Sequence, residues 1–89
     1  MSRDLTFRPQ GFEDYLYWQR QDRKTLQRIN RLLADIVRSP FDGIGNPEPL
    51  RHELQGFWSR RIDDEHRLVY AVEANHIVII ACRFHYENR

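Results

Sequence analysis

Phe57-Trp58-Ser59-Arg60-Arg61-Ile62, Arg67-Leu68-Val69-Tyr70-Ala71-Val72 and Ile77-Val78-Ile79-Ile80-Ala81-Cys82-Arg83-Phe84 are three β-like runs in succession. Only Asp63-Asp64-Glu65 and Glu73-Ala74-Asn75, with a residue or so at each end, separate them. Branched and aromatic residues suit a pleated, half-buried surface, and connections this short join neighbours running in opposite directions. The reading is an antiparallel meander over 57–84. Side chains alternate along each strand. Ser59 and Arg61 then share one face, while Trp58, Arg60 and Ile62 take the other. Arg67, Val69 and Ala71 likewise share a face. Cations rising from adjacent strands can converge on one phosphate.

Upstream of the meander the period changes. Leu26, Ile29, Leu32, Leu33, Ile36 and Val37 recur at spacings of three and four, a helical stripe that would face the sheet. Asp22 can cap this helix, and Ser39-Pro40 ends it. Residues 11–21 hold Phe12, Tyr15, Leu16 and Trp18 at helical spacing, with Glu13 and Asp14 early, where acids suit the positive end of a helix. Leu5-Thr6-Phe7 is a short β segment before Pro9. Phe41 to Pro49 holds two glycines and two prolines and reads as a loop. The order is β-α-α-β-β-β, with one more strand possible near residues 50–54. This is an α+β domain: two N-terminal helices packed on one face of an antiparallel sheet, the other face open.

Composition sets bounds. A chain of 89 residues is expected to form one domain, spanning 1–89. Hydrophobic residues at 40% and charged residues at 30% exclude a disordered class. A net charge of +1 does not announce a nucleic-acid binder. Arg51, Arg60, Arg61, Arg67 and Arg83 nevertheless all fall in the second half, leaving room for a local basic patch. One cysteine, no signal-peptide-like segment and no long apolar run suggest a cytoplasmic protein.

The C-terminal half also holds the parts needed to cleave RNA without a metal. They are a carboxylate, Glu48, stiffened between Pro47 and Pro49, then a set of arginines, and an imidazole, His85. A carboxylate can take the proton of a ribose 2′-hydroxyl, cations can hold charge on phosphorus, and an imidazole can protonate the leaving 5′-oxygen. Each part has a plainer reading. Glu48 can be a solvated loop carboxylate, Arg67 a salt-bridge partner of Glu65 or Asp63, and His85 a surface histidine. His66 and His76 read as structural or turn residues without metal-ligand spacing. Trp58 and Phe57 are expected to close the core, and Tyr15, Tyr17 and Trp18 to serve packing or a dimer contact. Ser59 has no triad partner. No metal and no cofactor is expected.

Five segments together resemble the YoeB/Txe family of type II toxins, within the RelE superfamily of mRNA interferases. They are Asp14-Tyr15-Leu16-Tyr17-Trp18-Gln19; Ser39-Pro40-Phe41 with Pro47-Glu48-Pro49-Leu50; Gly56-Phe57-Trp58-Ser59-Arg60-Arg61-Ile62; Glu65-His66-Arg67-Leu68-Val69-Tyr70; and Ala81-Cys82-Arg83-Phe84-His85-Tyr86. The resemblance covers nearly the whole chain. It implies a microbial-RNase-like fold and an endonuclease that cuts mRNA in the ribosomal A site and so inhibits translation. Carried over residue by residue, Glu48 matches the general base, Arg67 the cation that stabilises the transition state and His85 the general acid, with Tyr86 beside it. Arg61 and His52 match the RNA-binding surface. So does Arg51, where relatives commonly carry Lys; Arg stays charged and cannot exchange a proton. Glu87-Asn88-Arg89 extend past the His-Tyr pair with which family sequences often end.

The mechanism this implies is attack of the 2′-hydroxyl on its own 3′-phosphate, which excludes DNA as a substrate. The implied partners are mRNA on the ribosome and a cognate YefM/Axe-like antitoxin whose disordered segment folds onto the toxin. A homodimer or a toxin–antitoxin hetero-oligomer is the expected assembly, with no membrane. The alternatives are a ribosome-independent ribonuclease of the same fold and a non-catalytic RNA- or ribosome-binding protein.

Overall fold

The computed structural model describes residues 3–84. Strand β1 (Asp4–Phe7) leads into helix α1 (Pro9–Gln21) and helix α2 (Arg23–Arg38). Strands β2 (Glu48–Pro49), β3 (Phe57–Arg61), β4 (Arg67–Val72) and β5 (His76–Ala81) follow, with one 3-10 turn at His52–Leu54. The strands form one sheet in the order β1-β5-β4-β3-β2.

The meander is antiparallel as expected, with Trp58 opposite Tyr70 and Ala71 opposite Val78. The sheet as a whole is mixed, because β1 runs parallel to β5, Thr6 opposite Val78. Parallel pairing needs a long connection between the paired strands, and everything from α1 to β4 lies between these two. The extra strand falls at residues 48–49 rather than 50–54. Pro49 lacks an N–H and tolerates only an edge position, which β2 occupies. The Leu50 N–H still reaches the Phe57 carbonyl at 2.9 Å before the chain turns away.

Helix α1 starts earlier than its apolar period suggests. Pro9 stands at its first turn, where a missing N–H costs nothing. Glu13 and Asp14 therefore sit beyond the first turn, and Asp14 is buried against the sheet instead of serving the helix end. At Gly11 the helix comes so close to β5 that an added Cβ would lie 2.5 Å from the Ile79 carbonyl oxygen. Asp22 does cap α2: its carboxylate accepts from the Lys24 and Thr25 N–H groups and the Thr25 hydroxyl. These bonds, the Thr25 hydroxyl first, hold its pKa below the usual value.

The α2 stripe enters the core as its spacing predicts. Ile29, Leu32 and Ile36 are fully buried with Leu68, Tyr70, Ile77 and Ile79 from the sheet. Trp18 joins them, and Trp58 packs at the margin. Phe57 does not close this core. By alternation it points to the other face, where it lines a groove.

Arg60 departs furthest from expectation. It is fully buried on the helix side of the sheet and belongs to no basic patch. Its five N–H donors meet five acceptors: Tyr70 Oη at 3.1 Å, Asp35 Oδ2 at 2.6 Å, and the carbonyls of Ile44 (3.0 Å), Ser39 (2.5 Å) and Asp42 (2.9 Å). Burying a guanidinium is tolerable only when its donors are satisfied in this way. One side chain thus ties α2, the sheet and the 39–45 loop together. Among the described residues no helix is long and apolar enough to cross a membrane.

Candidate active site

The face of the sheet away from the helices carries Glu48, Arg61 and Arg67. Register places Glu48 opposite Ser59, Ser59 opposite Val69 and Val69 opposite Ala81, one row across four strands. A register shift after Val69 interrupts the alternation, so that Ile80 and Ala81 both line the same groove. One row away, Arg61 stands opposite Arg67. Residues two apart on a strand share a face, so Glu48, Arg61 and Arg67 project to the same side. Strand spacing puts the Glu48 and Arg67 Cα atoms about 12 Å apart, a separation their long side chains can close from both ends.

A groove of about 710 Å³ opens on this face. Phe57, Val69, Ile80 and Ala81 form its floor, while Glu48, Arg51, His52 and Glu53 bring charge and hydrogen-bonding groups to its wall. Glu48, Arg51 and His52 thus line one groove. Arg61 and Arg67 do not line the groove; they stand at the end of the strands beside it.

Local bonds hold these residues in place. The loop leading to Glu48 is fixed from below by Arg60 and from the side by the Arg61 N–H, which donates to the Gly45 carbonyl at 2.7 Å. Asn46 (φ 55°) and His52 (φ 59°) adopt left-handed backbone, uncommon for residues with a Cβ. Such conformations persist where the surroundings over-determine them, and they cluster at functional sites. Arg67 pairs with neither Glu65 nor Asp63 through a carboxylate. Its Nη1 donates to the main-chain carbonyls of Asp63 (2.7 Å) and His66 (3.1 Å), which braces the guanidinium while its charge stays uncompensated by a carboxylate among the described residues.

His85 and Tyr86 lie outside the described residues. The chain that leads to them is held firmly. Asp14 Oδ2 accepts from the Cys82 N–H (3.0 Å), and Trp18 Nε1 donates to the Cys82 carbonyl (2.7 Å). The Arg83 guanidinium lies 3.5 Å over the Tyr17 ring. The Phe84 carbonyl accepts from the Arg67 N–H at 3.1 Å. These grips end β5 at Ala81, short of the predicted Phe84. Reading the sequence missed Asp14, Arg60 and His66 as organisers of the site, since only the contacts between distant segments reveal their roles.

A family model of the YoeB-like toxin of bacterial type II toxin–antitoxin systems matches residues 7–86. The chain belongs to this family. It is therefore a type II toxin. The chain is 56% identical over 82 residues to a Toxin YoeB of Streptomyces coelicolor, covering 92% of this chain and 98% of that one. The solved YoeB dimer from Staphylococcus aureus is 50% identical, with a TM-score of 0.88, covering 97% of this chain and 100% of that chain. The YoeB of a heterotetrameric YoeB–YefM toxin–antitoxin complex from the same organism is also 50% identical, with a TM-score of 0.86 and the same coverage. The YoeB-like fold accounts for the mixed sheet and for two helices lying on one side only.

Proposed function

We propose that this YoeB-like toxin is a metal-independent, ribosome-dependent endoribonuclease that cuts mRNA in the A site. Glu48 removes the 2′-hydroxyl proton, and the oxygen attacks the adjacent phosphorus. Arg67, with Arg61 nearby, stabilises the charge on the five-coordinate state. His85 protonates the departing 5′-oxygen, and Tyr86 supports it. Arg51 and His52 hold the RNA along the groove. Each acid–base partner contributes roughly 10²–10⁴-fold, and a fixed cation aimed at developing charge about 10²–10³-fold.

The observation that carries this reading is the bond from the Arg67 N–H to the Phe84 carbonyl. It ties the residue before His85 to the strand that bears Arg67, on the face that Glu48 shares. The partner under this reading is a YefM-like antitoxin, as in the heterotetramer of the Staphylococcus aureus relative. The toxin itself would pair as that relative's dimer does.

The test is cleavage of mRNA on programmed ribosomes and as naked RNA by wild type, Glu48→Gln, Arg67→Ala and His85→Gln. The expected result is cutting only on ribosomes, yielding a 2′,3′-cyclic phosphate and a 5′-hydroxyl. Each variant should lose about 10²-fold or more. Equal cutting of naked RNA would leave a ribosome-independent ribonuclease instead. Full activity in Glu48→Gln would remove it as the base.

A further inference from the structure

His66 is used by nothing in this mechanism, yet it is the most tightly placed imidazole among the described residues. Its side chain is only 11% exposed. Its ring stands edge-on to Trp18, centroids 4.8 Å apart at 78°, and leans against Phe84 at 5.9 Å. Its own N–H and that of Glu65 are held by Asp63 Oδ1 at 2.7 and 2.9 Å. Its carbonyl accepts from the Ile62 N–H at 3.0 Å.

The decisive contact is at Nδ1, which accepts the Phe84 N–H at 2.7 Å. A main-chain N–H can only donate, so Nδ1 must be the unprotonated nitrogen and the ring proton sits on Nε2. The Phe84 carbonyl is held in turn by the Arg67 N–H. His66 and Arg67 therefore grip both polar main-chain groups of Phe84. Phe84 has φ 65°, a left-handed conformation that a bulky residue keeps only when its surroundings compel it. The next residue in the chain is His85.

We propose that His66 is a positioning residue that sets where the His85–Tyr86 pair stands, acting through its Nδ1 bond to the Phe84 N–H. The inference rests on His85 acting as the acid. Packing on Trp18 would be served as well by a phenyl ring. The acceptor is the part that only an imidazole, or an amide oxygen in the same place, supplies.

Two substitutions separate the two functions of the ring. His66→Phe keeps the aromatic contact and removes the acceptor. His66→Asn removes the ring and keeps an oxygen close to the place of Nδ1. Cleavage on programmed ribosomes should show His66→Phe reduced about 10–100-fold in kcat, since misplacing a reacting group by about 1 Å costs on that scale. KM should be little changed. His66→Asn should recover most of the rate. The reverse order, an active Phe variant and an impaired Asn variant, would mean that the ring matters only for packing and would overturn the proposal.

His85→Gln measured alongside distinguishes the two claims. If it keeps full activity, the acid assignment fails and takes this inference with it. If it is impaired while His66→Phe matches wild type, only the positioning fails. Should His66→Phe not fold, nitrogen-15 NMR of the wild type decides. An unprotonated Nδ1 coupled to the Phe84 N–H is expected, and a protonated Nδ1 would refute the bond.

Discussion

Replacing Arg60 by Met should unfold much of what holds Glu48 in place. Met fills a similar space but donates nothing, so Asp35, Tyr70 Oη and three loop carbonyls lose a donor together. Breaking a buried ion pair from one side costs about 3–5 kcal/mol. The Asp35 side chain keeps 19% of its exposure, so water can partly replace the guanidinium and the lower end, about 3 kcal/mol, is the working value. A chain of 89 residues has a total stability of roughly 5–13 kcal/mol, so this loss is a large fraction of it. The melting temperature should fall by about 12–24 °C, read by circular dichroism and tryptophan fluorescence. A pH series adds a second check. The Arg60 hydrogen bond, aided by the Ile44 N–H, holds the Asp35 carboxyl below its usual pKa of 3.8. A depressed folded-state pKa means stability that is present above the unfolded pKa and lost as pH falls through the folded one. The gap between wild type and Arg60→Met should therefore hold near neutrality and narrow as pH drops below about 4. A variant melting within about 3 °C of wild type at neutral pH, or a gap undiminished in acid, would refute the reasoning.

Gly11→Ala should destabilise, although alanine is the better helix former by about 1 kcal/mol. The new Cβ would meet the Ile79 carbonyl oxygen at 2.5 Å, and backbone cannot swing aside. A net loss of about 1–3 kcal/mol in urea unfolding is expected, and a gain would show that α1 can shift. Trp18→Phe keeps the aromatic packing but removes the donor to the Cys82 carbonyl. A loss of about 1–2 kcal/mol is expected, with faster amide exchange at Cys82 and Arg83. Unchanged exchange there would mean the indole bond does not hold the chain leaving β5.

Local pattern carried much of the architecture. The period of α2, its Asp22 cap and the three-strand run over 57–84 were legible because each depends on neighbours within a few residues. Glu48, Arg51 and His52 were legible as a group because they lie within one short stretch whose prolines restrict it. The departures arise where distant segments meet. The parallel seat of β1 depends on β5, a strand far along the chain, offering it a free edge. Arg60 looks on paper like any other cation of a half-buried strand, and only the arrival of Asp35 and the 39–45 loop on its side of the sheet makes it a core residue.

Residue order by itself determined the helix-helix-meander plan, the face on which Arg61 and Arg67 rise, and the membership of the family, since all of these follow from spacing along one chain. Only the tertiary structure decided that Arg60 anchors rather than binds. It alone brought Asp14 to the N–H and Trp18 to the carbonyl of Cys82, and set His66 and Arg67 on the two polar groups of Phe84. The physical reason is that a hydrogen bond between residues 10 to 68 positions apart leaves no periodic trace in the chain. It exists only once packing has brought donor and acceptor into contact, at 2.7 Å for His66 and Phe84 and 3.0 Å for Asp14 and Cys82.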